Sequence, residues 1–353
     1  MTAQAILAFG LILIALVVIH ELGHFITAKL TGIKVLEFGI GYPPRLWAFR
    51  KGETEYSVNL LPLGGFVRLL GEEDPSDPRS LAARPAWNRL LVLGAGSGMN
   101  FVLPIFLFAL SFMIPHDVDV GLTRIARVAP GSPAAEGGLK AGDIIFAING
   151  DEVRNVNEVG RAIRLNLGED LNFKVKTDGE FREVEAKARW SPPDGQGPTG
   201  IEIGPLYPFT ERESLPFWDA IPSGYTATID SLTLARNEII SWFRGRSAPE
   251  VAGPVGLAEV TDEVVDEAGY RALLDFAALL SINLAIINVL PLPMLDGGRM
   301  AFVLLEILRR GKRIAPDKEA LVHFIGFAVM ISLAVIVTYF DVLRMIRGES
   351  LFR

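Results

Sequence analysis

The stretch VVIHELGHFITAK, residues 17–29, holds His20, Glu21 and His24 inside an otherwise apolar run. On a helix, His-Glu-x-x-His places two imidazoles one turn apart on one face, so both can reach a single metal ion. Glu21 is rotated by about 100° from His20, close enough to hold a water beside that ion and take its proton. Zn2+ is the expected ion, because neutral imidazoles suit it and a catalytic site uses three protein ligands with one open position. Chance would produce such a motif in roughly a few per cent of chains of this length. The apolar setting favours function over chance, since ionisable groups within a membrane span are costly and serve a purpose by default.

A third ligand is required. His116 follows the second apolar span and reads as a solvated loop histidine, while His323 opens the fourth and reads as an interfacial or packing residue. Asp296, in NVLPLPMLDGGRM, ends the third apolar stretch after Pro291 and Pro293 break the helix and before Gly297-Gly298 free the backbone. A carboxylate at a broken helix end inside a bundle can turn toward a metal on another helix. The plainer reading of Asp296 is an ordinary acid in a loop at a helix end.

The elements that must position these groups follow from hydropathy. Four stretches are long and apolar enough to span a bilayer: Ala3 to Ala28, Leu90 to Ile114, Leu273 to Leu295 and Val322 to Met345. No basic region precedes the first run and no small-residue cleavage site follows it, so it is expected to be a retained helix rather than a signal peptide. Between the first two spans, ETEYSVNLLPLGGFVRLL alternates polar and apolar residues around a Pro–Gly–Gly break and reads as a β-hairpin at the membrane surface. Residues 120–204 read as a soluble module with turns at Asn149-Gly150 and Asp178-Gly179. Within it, GSPAAEGGLKAGDIIFAINGDEV resembles a PDZ domain. From 216 to 247 the pattern is helical and amphipathic, with Phe217, Trp218, Trp242 and Phe243 suited to a membrane surface. In GAGSGMNF, Gly94 and Gly98 read as points of close helix packing.

Charge sets the expected orientation. Residues 29–89 hold nine Lys/Arg and the loop Arg309–Lys318 five, whereas residues 115–272 hold sixteen basic against twenty-six acidic residues. The positive-inside rule then puts the two basic loops in the cytoplasm and the soluble module outside, with both termini outside. Arg344, Arg347 and Arg353 pull the other way. A formal charge of −7 without a large basic block argues against nucleic-acid binding, and the lack of cysteine excludes disulfides and thiolate metal sites.

His-Glu-x-x-His in a first membrane helix together with NVLPLPMLDGG in a later one resembles the site-2 protease family of intramembrane zinc metalloproteases. The likeness extends to EFGIGYPPRLW, NLLPLGGFVRLLGE and GPVG at 253–256, and a module between the second and third spans makes it similar to the bacterial RseP-type branch. The resemblance implies His20, His24 and Asp296 as zinc ligands and Glu21 as general base and later acid. It also implies Asn288 and Asn283 as contacts to substrate backbone or to the oxyanion. Two departures stand out: room for one PDZ domain where that branch often has two, and Ser97 where relatives commonly have proline before Asn100.

The expected fold is therefore a polytopic α-helical membrane protein with four transmembrane helices, a membrane-associated β-hairpin and an inserted extracytoplasmic α+β PDZ domain. Its expected parts are a span at 1–28, a cytoplasmic hairpin region at 29–89, a span at 90–114 and the PDZ domain at 115–204. An amphipathic helical linker at 205–272 follows, then a span at 273–298, a cytoplasmic loop at 299–321, and a last span with tail at 322–353. The expected activity is hydrolysis of single-span membrane proteins, already cut once by another protease, in the bacterial cytoplasmic membrane. Anti-sigma factors and remnant signal peptides are the substrates the resemblance suggests. A silent membrane scaffold whose PDZ domain binds protein C-termini is the alternative. A metal transporter would need a polar path across the membrane, which the fourth span lacks.

Overall fold

The first helix, α1 (Ala3–Leu30), is apolar on every side, and its 28 residues extend about 42 Å, more than a bilayer core requires. Its N-terminus is capped by Thr2, whose side chain accepts from the Ala5 N–H. This helix belongs to a computed structural model that describes residues 2–244 and 253–347. The expected linker residues 245–252 and tail residues 348–353 lie outside that description. The chain forms two compact units, residues 1–111 with 251–353, and residues 112–250.

After α1 come two long antiparallel strands, β1 (Val35–Lys51) and β2 (Thr54–Leu69), joined by a turn at Gly52-Glu53. Residues 53–70 therefore do not make the expected hairpin with themselves. The Pro-Gly-Gly break is real, but it separates two segments of β2 that lie on opposite edges of the first part of β1. Along one edge Glu37 to Ile40 pair with Glu55 to Val58, and along the other they pair with Arg68 to Gly65. Alternation within one strand cannot reveal that another segment is inserted between its halves. The second span, α2 (Ala86–Met113), follows.

The unit at 112–250 is built on a six-stranded sheet. It contains β3 (His116–Val128), α3 (Pro133–Gly137), β4 (Ile144–Ile148), β5 (Asp151–Glu152), α4 (Val156–Leu165), β6 (Asp170–Thr177), β7 (Glu180–Lys187) and β8 (Ile201–Glu213). The strand order is β7-β6-β4-β3-β8, with β5 on β4. The turns are where the glycine dipeptides put them, with Asn149, Gly150, Asp178 and Gly179 all at positive φ. Ile125, Ile145, Leu171, Phe173 and Val175 fill the core under α4. The module runs past its expected end at 204, because β8 pairs with β3 through Glu213.

The amphipathic helix α5 (Phe217–Phe243) is not a free linker. Asn237 donates to the Arg164 and Leu165 carbonyls at the C-terminus of α4, at 2.9 and 3.2 Å, and Arg161 pairs with Asp230. Terminal carbonyls of a helix lack internal partners, and a buried amide satisfies them here. Trp218 and Phe243 remain exposed.

The first unit resumes with α6 (Pro254–Ala268), α7 (Ala272–Val289), α8 (Asp296–Leu308) and α9 (Pro316–Arg347). Among the described residues, α1, α2, α7 and α9 are the four helices long and apolar enough to cross a membrane. Asp296 does not end the third span as expected. The span stops at Val289, and Asp296 opens a new helix over residues expected to be loop. Two prolines end α7, whereas the glycines after Asp296 permit close packing: a Cβ on Gly297 or Gly298 would collide with the carbonyls of Val289, Leu290 and Leu292. Gly253 and Gly256, in the GPVG stretch, donate their N–H groups to Asp341 of α9 at 2.9 and 3.0 Å.

Candidate metal centre

Helix α1 presents His20 and His24 one turn apart, both buried, and their ring planes meet edge-on. The start of α8 brings Asp296 to them. Asp296 Oδ2 lies 2.9 Å from His20 Nε2 and 3.1 Å from His24 Nε2, and the two Nε2 atoms are 3.1 Å apart. Among the described residues, this is the one group of three or more His and acidic side chains able to hold a metal ion.

Helix α2 runs across these histidines with a stripe at every fourth residue: Val92, Gly96 and Asn100. His24 Nδ1 donates to the Val92 carbonyl at 2.7 Å, which leaves its Nε2 bare and aimed at Asp296. Gly96 supplies the absence of a side chain, because a Cβ there would strike both imidazoles. Asn100 meets His20 Nδ1 at 3.3 Å. Gly23 of α1 likewise has no room for a Cβ, lying against the Ala95 carbonyl. Gly94 touches only the Met300 side chain, and Gly98 faces open space. Close packing therefore falls on Gly23 and Gly96, not on the expected pair. Glycine spacing alone could not show which one faces a ring.

Two anchors hold Asp296. Helix α8 is fixed to α2 by Arg89, which donates to Glu306 at 2.6 Å, and by Val303 packed with Val92 and Leu93. The loop before α8 is held by α9: the Met294 N–H donates to His323 Nδ1 at 2.8 Å, and Gly326 lies against Pro293. Met294 needs such support, because it adopts φ +78° with a side chain present.

Glu21 stands beside His20, His24 and Asp296 on the side of α1 that meets β2. Gly65 passes beside it, so that a Cβ there would be 3.6 Å from Glu21 Cγ. Tyr42 reaches the same place and donates to the Gly65 carbonyl at 3.4 Å. Burial, and then the nearby Glu21 carboxylate, push the Tyr42 phenol above its ordinary range. A profile described as Peptidase family M50 matches residues 8–333. The chain belongs to peptidase family M50.

Relatives agree over almost the whole length of this M50 peptidase. Zinc metalloprotease RasP of Geobacillus kaustophilus is 30% identical, with 97% of this chain and 98% of the relative covered. Zinc metalloprotease RasP of Oceanobacillus iheyensis is 29% identical, covering 96% and 99%. Regulator of sigma-W protease RasP of Bacillus subtilis is 29% identical, covering 98% and 100%. This M50 peptidase is thus a zinc metalloprotease of the site-2 type and a membrane protein.

The donor set fits zinc. Ligands about 2.0–2.2 Å from a tetrahedral zinc sit roughly 3.3 Å from one another, close to the 2.9–3.1 Å separations found here. Two ring nitrogens and a carboxylate oxygen converge on one point, which favours a cation there.

The other expected residues separate. Asn288 lies seven residues after Ser281 and so on the same face of α7, the face from which Ser281 bonds to α2. Asn283 is exposed on the opposite face and is not brought to the metal centre. Neither amide has a hydrogen-bond partner among the described residues. His116 is half-buried at the start of β3 and donates to the Ile114 carbonyl. His323 holds the loop before Asp296 instead of serving only at an interface. Sequence reading missed Gly96, Tyr42 and the roles of Asn100 and His323. The spacing of 92, 96 and 100 was the available signal, since it matches the spacing of 20 and 24.

Proposed function

We propose that this M50 peptidase hydrolyses single-span membrane proteins within or near the bilayer, with His20, His24 and Asp296 holding zinc and Glu21 acting as general base and then acid. The carrying observation is the convergence of His20 Nε2, His24 Nε2 and Asp296 Oδ2 beside Glu21 in a membrane-spanning helix. Zinc, when bound, supplies Lewis acidity and a water acidic enough to attack at neutral pH. Glu21 takes the proton of that water and returns it to the leaving amine. Asn288, on the α7 face shared with Ser281, is the candidate donor to substrate backbone or to the developing oxyanion.

A substrate helix hides its backbone, so it must unwind before attack. The segment Gly65–Leu69 supports a place for it, because that segment pairs with β1 on one edge only and begins beside Glu21. An unwound stretch adding there as a strand would lie alongside the base. The unit at 112–250 is read as a single PDZ domain, with α4 close to β8 and the outer edge of β8 unpaired. Charge asymmetry puts it outside the bacterial cytoplasmic membrane, where it would filter substrates by size or by a newly exposed C-terminus. Anti-sigma factors, cut beforehand by another protease, are the substrate class of this reading; the sigma-W regulator name of the Bacillus subtilis relative supports only the link to a sigma factor.

Glu21→Gln in the full-length protein, reconstituted with a single-span substrate, tests the reading. Zinc should be retained and cleavage lost, with uncut substrate recovered in complex with the enzyme. Cleavage at the wild-type rate would overturn it.

A further inference from the structure

For His20 and His24 both to offer Nε2 lone pairs to one ion, each must carry its ring proton on Nδ1, and each Nδ1–H then needs an acceptor. His24 has one in the Val92 carbonyl. The group facing His20 Nδ1 is the Asn100 side-chain amide, 3.3 Å away and fully buried. With Nδ2 toward the ring, Asn100 would donate to Nδ1, force the proton onto Nε2, and leave its own buried Oδ1 without a donor. A half-turn of the amide keeps the shape of the side chain and gives Oδ1 the His20 Nδ1–H.

The backbone at Asn100 is also fixed in an unusual way. Its carbonyl would ordinarily accept from the residue four positions on, but that residue is Pro104, which has no N–H. Ser281 of α7 supplies the missing donor at 2.9 Å. Asn100 is thus clamped between α7, through its carbonyl, and α1, through its amide.

We propose that Asn100 is a positioning residue of the metal centre: its Oδ1 accepts from His20 Nδ1–H, which selects the tautomer and holds the ring with Nε2 toward Asp296. Val92 and Asn100, two turns apart on one helix, then do the same job for the two histidines, one with a backbone carbonyl and the other with a side chain. Gly96 between them leaves the rings their space. The proposal rests on the reading of His20, His24 and Asp296 as zinc ligands.

The test uses the full-length protein in detergent, with Asn100→Leu (similar size, no acceptor), Asn100→Asp (acceptor kept) and His20→Ala. Zinc affinity is read by chelator competition. The His20 Nδ1–H and its hydrogen bond are read in the zinc-loaded protein by 1H–15N NMR of labelled histidine, of which the chain has four. Asn100→Leu should weaken zinc binding about 10- to 100-fold, the range found when groups behind metal ligands are removed. It should also move the His20 Nδ1–H resonance upfield, because its hydrogen bond is lost. Asn100→Asp should recover zinc affinity to within a few-fold and keep the Nδ1–H form.

Wild-type zinc affinity in Asn100→Leu, or equal losses in both variants, overturns the proposal. If Asn100→Leu does not fold, zinc-loaded wild type and Asn100→Asp decide alone: a His20 Nδ1–H without the downfield shift of a hydrogen bond in either overturns it. Retention of zinc by His20→Ala would instead overturn the metal-centre reading itself, so the two failures are distinguishable.

Discussion

His20 and Asp296 are 276 positions apart in the chain, yet their Nε2 and Oδ2 atoms are 2.9 Å apart. Asp296→Ala should therefore remove most bound zinc, not merely slow turnover. Metal analysis of the purified variant checks this, and unchanged zinc content would remove Asp296 from the site.

Gly96 and Gly98 are neighbours on one helix with opposite expectations. Gly96→Ala puts a methyl group onto both imidazoles, so zinc binding and cleavage should fall at least tenfold, with overpacking of about 1–3 kcal/mol. Gly98→Ala meets open space and should leave zinc content unchanged while raising stability by up to about 1 kcal/mol, from helix propensity. Zinc analysis and thermal unfolding of the pair read both effects.

Ser281→Ala strips the Asn100 carbonyl of its replacement donor. Interhelical hydrogen bonds in membranes are worth about 0.6 kcal/mol on average and about 1.7 at most, and a loss within that range is expected. Equilibrium unfolding in mixed micelles measures it.

Asp341 holds the start of α6 through the amides of Gly253 and Gly256, and it also pairs with Arg344 at 2.6 Å. Asp341→Leu should free those two amides. Hydrogen exchange at Gly253 and Gly256 should then speed up markedly while exchange in α1 stays slow.

Glu306 yields a pH dependence. Burial pushes its carboxyl up, but hydrogen bonds from Arg89 and then Arg313 more than offset this and hold it below the usual carboxylate range. A depressed folded-state pKa stabilises the fold above the unfolded value, near 4.5, and that contribution is lost as pH falls through the folded value. Wild type should therefore lose stability relative to Glu306→Gln as pH drops below about 4.5. Unfolding temperatures of the two proteins across pH 3–7 test the sign.

Much of this was legible because it is local. The i, i+4 spacing of His20 and His24, the length of four apolar runs and the Asn149-Gly150 and Asp178-Gly179 turns depend on a few neighbouring residues, so backbone geometry alone translates them. Asp296 was singled out by the prolines before it and the glycines after it, although its place at the start of a new helix was not. The strand pairing was misread because it is not local: the first part of β1 lies between the two segments of β2, and no pattern inside β2 encodes its neighbour.

From the sequence by itself came an apolar helix carrying two histidines spaced to share a metal, a candidate third ligand, and the order of spans, strands and turns. Only the tertiary structure decided which groups complete the site. Gly96 matters because two rings from another helix need its empty space. Asn100 reaches His20 Nδ1 from another helix, and Pro104 frees the carbonyl that Ser281 then takes up. Met294 holds its φ because His323, 29 residues on, accepts its N–H. Each is a need created on one segment and met by another, and such a match exists only once both are packed.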